Sequence, residues 1–179
     1  MKKGYTLLLL LAIFLFGLSV HGSVAAEVGQ YTTIVLKEFS LEGAAIQENE
    51  DTKAFAQTLP PDFAEWVASY LGSMKVSQKV VVEKAGKGEA PPAGALVVEG
   101  HFTKITAGST AARWVVGWGA GSSTVGAEWT VKDVGTGKIL DKFNKNQHTS
   151  SSVRGIHAVE SDARYLAKYV ASTIQKLAK

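Results

Sequence analysis

The spacing of apolar residues changes several times along this chain, and each change marks an element. After Lys2 and Lys3, residues 7–20 are almost wholly apolar and show no alternation, and small residues (Val24, Ala25, Ala26) follow. Tyr31 to Phe39 (YTTIVLKEF) is rich in β-branched and aromatic residues and predicts a first strand. Glu42 to Lys53 is polar, with Asn49, Glu50 and Asp51 reading as a loop. Pro60 and Pro61 then read as the first turn of a helix, where a fixed φ and a missing N–H cost little. Phe63, Trp66, Val67, Tyr70 and Leu71 follow at i, i+3, i+4, i+7 and i+8, one apolar stripe that Gly72 would stop.

Val76 to Glu83 predicts a second strand, and residues 84–94 (KAGKGEAPPAG) a surface loop. Ala95 to Ile105 is a third strand, with Leu96, Val98 and Phe102 on one face and Glu99, His101 and Thr103 on the other. Val125 to Asp133 alternates as well, placing Val125, Ala127, Trp129 and Val131 together. Gly135-Thr136-Gly137 turns the chain into a returning strand from Lys138 to Asn144. From His157 to Leu177 the period lengthens again: Val159, Ala163, Leu166, Val170, Ile174 and Leu177 keep helical spacing. The order β-α-β-β-β-β-α predicts a single α/β (α+β) domain. Its mixed sheet would carry a long glycine-rich β-hairpin, with two amphipathic helices packed on it.

The amino-terminal pattern has the three parts of a secretory signal: a basic start, a short apolar core and a small-residue cleavage site. Residues 1–26 are therefore expected to be a signal peptide and residues 27–179 the working domain. An uncleaved anchor is the competing reading, and its core is short for the roughly 20 apolar residues that span a bilayer. Export, most simply into a periplasm, is the expectation. Export also changes the charge balance. The chain has 19 basic and 16 acidic residues, but Lys2 and Lys3 leave with the signal and 17 basic residues remain. A nearly neutral domain lacks the electrostatic footprint of a nucleic-acid binder. The chain has no cysteine, which excludes disulfides, thiol catalysis, thiolate metal sites and lipid attachment at an amino-terminal cysteine.

Between Leu96 and Phe143 the sequence carries Glu99-Gly100, then Arg113-Trp114, then the glycines from Gly117 to Gly121, then VKDVGTGKIL from Val131 to Leu140. A first strand ending in Lys37-Glu38-Phe39 and a first helix precede them in order. This set resembles the bacterial envelope proteins grouped as domain of unknown function 4410 (DUF4410), and more distantly the curli secretion channel lipoproteins. The resemblance implies an α/β fold shared by periplasmic and outer-membrane accessory domains. The curli-type channel is a lipidated oligomer that inserts two β-hairpins per subunit. This chain has no cysteine to acylate, and after Phe143 it runs through NKNQHTSSSVRG into the last helix with no long segment for a second hairpin.

Candidate chemistry is sparse. Gly117 to Ser123 (GWGAGSS) looks like a phosphate cradle, but strand-like residues follow it where a helix amino terminus would be needed, and no Gly-Lys-Ser/Thr or G-x-S-x-G is present. It reads instead as a bulged hairpin or a contact surface. Trp114 and Trp118, set among small residues, could form an exposed apolar patch. His101, His148 and His157 have no helical spacing that makes a metal site, and a site built on His101 and Glu99 would need distant partners. Asp133 and Asp141 flank the Gly135–Gly137 turn, which already accounts for Asp133. Ser150 to Ser152 beside Arg154 lack an adjacent base.

These readings predict a non-enzymatic periplasmic or envelope accessory domain that acts by protein–protein contact, with no cofactor, metal or nucleic acid. The expected contact surface is Arg113, Trp114, Gly117, Trp118 and Gly121. A protein partner or self-association is expected, together with peripheral contact at the outer membrane. The alternative is a subunit of an oligomeric outer-membrane assembly, in which the arm from Arg113 to Ser123 inserts as a hairpin. A small hydrolase using Asp133, Asp141 or His101 is the third class.

Overall fold

The computed structural model describes residues 31–84, 88, 90–108, 121–148 and 155–179. Strands β1 (Thr33–Lys37) and β2 (Ala45–Ile46) precede helix α1 (Glu50–Ser73). Strands β3 (Lys79–Glu83), β4 (Ala95–Thr106), β5 (Thr124–Asp133) and β6 (Ile139–Gln147) follow, and helix α2 (Ile156–Leu177) closes the chain. One mixed sheet runs in the order β3-β1-β4-β5-β6, with β2 paired to the far end of β4. β1 is parallel to both β3 and β4, whereas β4, β5 and β6 form an antiparallel meander. The α/β class, the mixed sheet and the two covering helices are as the sequence predicts. The glycine-rich hairpin lies mostly outside the described residues.

The alternation in β5 is the sheet's clearest imprint on sequence. Val125, Ala127, Trp129 and Val131 are all fully buried, facing the helices. On β4 the same parity puts Leu96, Val98 and Phe102 in the core. A bulge between Phe102 and Lys104 then inserts one residue, so that Ile105, three positions on, also faces inward. Helices α1 and α2 pack side by side on this one face. Phe63 of α1 meets Phe39 and Phe102 with ring centroids 5.1 Å away in each case, the Phe63–Phe102 pair edge-to-face. From α2, Val159, Ala163, Leu166, Val170 and Ile174 are buried as expected, with Leu177 partly buried at the end.

Helix α1 corrects the sequence reading. It begins at Glu50, not at Pro60, and both prolines lie inside it. Asn49 is its N-cap: the side-chain carbonyl accepts a 2.8 Å bond from Thr52 N–H, and Glu50 and Asp51 stand in the first turn where the helix dipole favours acids. The residues read as a loop are thus a helix start. Pro60 and Pro61 each forgo one i→i−4 bond. Burial of Thr52, Ala56 and Leu59, which extend the Phe63–Val67–Leu71 stripe backwards, offsets that loss. The polar stretch also contains β2, and the second strand starts at Lys79 instead of Val76.

Among the described residues, the opposite face of the sheet carries no helix. Towards β1 and the start of β4 it is apolar, a small cluster of Val35, Ala95 and Val97 under Val134. Towards β5 and β6 it is charged.

Candidate functional site

Glu99-Gly100 sits where the two faces part company. Gly100 faces the helices, opposite Trp129, and the Phe39 ring lies directly over it. A methyl group there would come within 2.8 Å of Trp129 Cβ and 2.9 Å of Phe39 Cε2. The glycine is therefore demanded by close packing, not by its backbone angles. Glu99 points the other way, onto the open face, where it is ion-paired with Lys132 and lies 3.7 Å from Lys37 Nζ. His101 is opposite Glu128, whose carboxylate accepts a 2.7 Å bond from Asn144. Glu99, His101, Glu128, Thr130 and Lys142 line an open depression of about 610 Å³.

At the far end of β4 and the start of β5 the chain is held unusually tightly. Gln47 Oε1 accepts bonds from Thr106 Oγ1 (2.7 Å) and Gly108 N–H (3.1 Å), and its side-chain amide donates to the Gly108 carbonyl. Gly108 and Gly121 both have positive φ, 76° and 77°, and touch so closely that any side chain at Gly108 would overlap the Gly121 carbonyl. Two residues on, Ser123 Oγ donates a 2.6 Å bond to Asp162 of α2, and both side chains are fully buried. The chain thus leaves the described core at Gly108 and returns to it at Gly121 through one pinned root.

Of the predicted contact residues, Gly121 forms part of this root. Arg113, Trp114, Gly117 and Trp118 lie outside the described residues. The other candidates are not brought together. Asp133 is occupied by its turn: Oδ1 accepts from Gly135 N–H at 2.8 Å and Oδ2 from Thr136 Oγ1 at 2.8 Å. Asp141 is exposed on β6, and His157 stands in the first turn of α2. Among the described residues no three His, Asp or Glu side chains converge as metal ligands do. Burial pushes the Tyr31 phenol above its ordinary value of 10.0, and the Asp133 charge adds to the effect.

Gln47 and Asp162 went unmarked in the sequence, and Ser123 was read only as the end of the glycine-rich segment, not as a partner of Asp162. Their partners are 61, 39 and 39 positions away. Only Asp162 left a local trace, as a carboxylate at a position where the α2 stripe runs past it into the core.

The profile of the family described as Domain of unknown function (DUF4410) matches residues 34–150. The chain belongs to this family. The matched span contains Glu99-Gly100, the segment rooted at Gly108 and Gly121, and the Asp133 turn, and it ends before α2. No curated protein sequence matches the chain. Among solved structures the DUF4410 chain is similar to the PelC dodecamer from Paraburkholderia phytofirmans, at 15% identity over 82% of this chain and 89% of that one, with a TM-score of 0.51. A single-substitution variant of that dodecamer gives 16% identity over 83% and 89%, with a TM-score of 0.50. At such identity the likeness is one of fold. No helix among the described residues is long and apolar enough to cross a membrane.

Proposed function

We propose that this DUF4410 protein is an exported accessory domain of the bacterial envelope that works by protein contact and catalyses no reaction. In this reading residues 1–26 are removed on export and residues 27–179 act in the periplasm. The contact is made by the segment between Gly108 and Gly121, through Arg113, Trp114, Gly117 and Trp118, with Gly121 at its base. The observation that carries the reading is the pinned root. Gln47 on one side and Ser123–Asp162 on the other hold the two ends of an arginine-, tryptophan- and glycine-containing insertion against the core, as a scaffold holds a recognition loop. The charged groups nearby do not suit acid–base work, since Asp133 serves its turn and Glu99 is paired with two lysines.

Self-association is the second reading, and the dodecameric state of the similarly folded PelC favours it. It also covers a subunit of an oligomeric outer-membrane assembly. Changing Trp114 and Trp118 together to serine separates the outcomes. Unchanged circular dichroism with loss of a captured partner supports a contact arm. Unchanged dichroism with loss of a high-mass species in sedimentation supports self-association. Loss of the folded spectrum places both rings in the core and ends the contact reading. Osmotic shock and alkaline carbonate washing of cells carrying a tagged chain then report whether the shortened protein is periplasmic or retained by membranes.

A further inference from the structure

All the large apolar side chains that stand exposed among the described residues lie on or beside β6: Ile139, Tyr165 and Tyr169. Tyr165 and Tyr169 are one turn apart on the flank of α2 that overlooks β6, 58% and 43% exposed. Tyr169 meets the ring of Trp129 edge-on at 6.0 Å, and Trp129 in turn stacks on Phe143 of β6 at 5.1 Å. Tyr169 is therefore held from below by the Trp129 ring, and Tyr165 stands more exposed one turn before it. Basic residues surround them. Lys145 Nζ lies 5.2 Å from the Tyr169 ring centroid, Lys168 is exposed beside it, and Lys176 continues the same stripe. After Asp162 the helix has no acidic residue, and β6 has one, Asp141.

We propose that this flank docks on an anionic phospholipid surface. Tyrosines with an apolar base and a polar tip suit the headgroup level of a bilayer, and lysines extend past them to the phosphates. Among the described residues β6 is also an edge of the sheet, and an edge is ordinarily open to a further strand from a second copy. Lys142 and Lys145 along it oppose such strand addition, because like charges would be brought together on pairing. Of the two, Lys145, which lies over Tyr169 on the helix side, also complements a negative surface, whereas Lys142 faces the opposite side of the sheet. The site uses none of the residues between Gly108 and Gly121.

The test is sedimentation with vesicles, using the processed protein released by osmotic shock. It should pellet with vesicles containing phosphatidylglycerol, much less with pure phosphatidylcholine, and less again as salt rises. The paired changes Lys145→Glu and Lys168→Glu should weaken this binding at least about ten-fold. Tyr165→Ser with Tyr169→Ser should weaken it while leaving the dichroism spectrum intact. Trp114→Ser with Trp118→Ser should leave it unchanged, which separates this proposal from the contact-arm reading. Equal binding to both vesicle types, no binding at all, or full binding by the folded lysine variant would overturn the proposal. So would variants that lose a high-mass species while vesicle binding persists, since the flank would then belong to an interface between copies.

Discussion

Ser123 Oγ and Asp162 Oδ2 lie 2.6 Å apart in the interior, tying the residue before β5 to the second turn of α2. A buried carboxylate is tolerated only when its oxygens are bonded, and a hydroxyl on a neighbouring element supplies one such bond. This pair also fixes where the chain re-enters the core after Gly121. Replacing Ser123 with alanine should cost about 1–3 kcal/mol, because the carboxylate loses a partner that water cannot replace. Urea unfolding would register this as a lower midpoint with an unchanged slope. An unmoved midpoint would mean that Asp162 is satisfied without the serine.

Two glycine-to-alanine changes should differ in sign. At Gly100 the new methyl meets Trp129, Phe39 and the Glu128 carbonyl oxygen at 2.5 Å, and backbone cannot step aside. The expected loss is about 1–3 kcal/mol, with altered tryptophan fluorescence. At Gly72, near the end of α1, nothing lies within 4 Å of the new methyl. Alanine there should raise stability by up to about 1 kcal/mol through its better helix propensity. Thermal melts of the two variants compare them directly.

Tyr31 makes stability depend on alkaline pH. Its phenol holds its proton more tightly in the folded protein than in the unfolded chain, where its value is 10.0. Its contribution is therefore fully present below pH 10 and is lost as pH rises through 10 and the higher folded value. Unfolding midpoints measured from pH 8 to pH 11 should fall at the top of that range, and Tyr31→Phe should flatten that part of the decline. The same fall in the phenylalanine variant would assign the effect to other groups.

Gln47 clamps the Gly108 backbone from both sides of its amide. Gln47→Ala removes the bonds to Thr106 Oγ1 and Gly108, and should speed hydrogen exchange at the Gly108 amide while costing only about 0.5–1.5 kcal/mol globally. If the root matters for presenting the insertion, the same variant should capture a partner less well at equal fold content. Unchanged exchange at Gly108 would show that the root does not depend on Gln47.

Much of the architecture was legible in the chain because burial on one face imposes a period. Val125-Ala127-Trp129-Val131 alternates because each second residue of β5 faces the helices. Val159 to Ile174 recurs at helical spacing because α2 lies flat on the sheet. The errors came where a local signal had two meanings. Pro60 and Pro61 are a common helix start, yet Thr52, Ala56 and Leu59 bury enough to carry α1 through them. Asn49-Glu50-Asp51 suits a loop and an N-cap equally, and only the Thr52 N–H bonded to Asn49 tells them apart. The candidate site was less legible. Gly121 was picked out with its segment, but the partners that pin its neighbourhood, Gln47 and Asp162, stand far away in sequence.

By itself, the sequence determined most of the strands, the second helix and the later part of the first, which of their faces are apolar, and membership of a motif-bearing family. Those are consequences of local periodicity and turn chemistry, and a single chain displays them directly. Only the tertiary structure decided that β1 lies between β3 and β4, that both helices share one face, and that Gly100 is the seat of the Phe39 ring. It also decided that Tyr165 and Tyr169 stand exposed beside the lysines of β6. Each of these depends on contacts between residues distant in sequence, where the chain's spacing carries no information and only mutual fit in three dimensions selects the pairing.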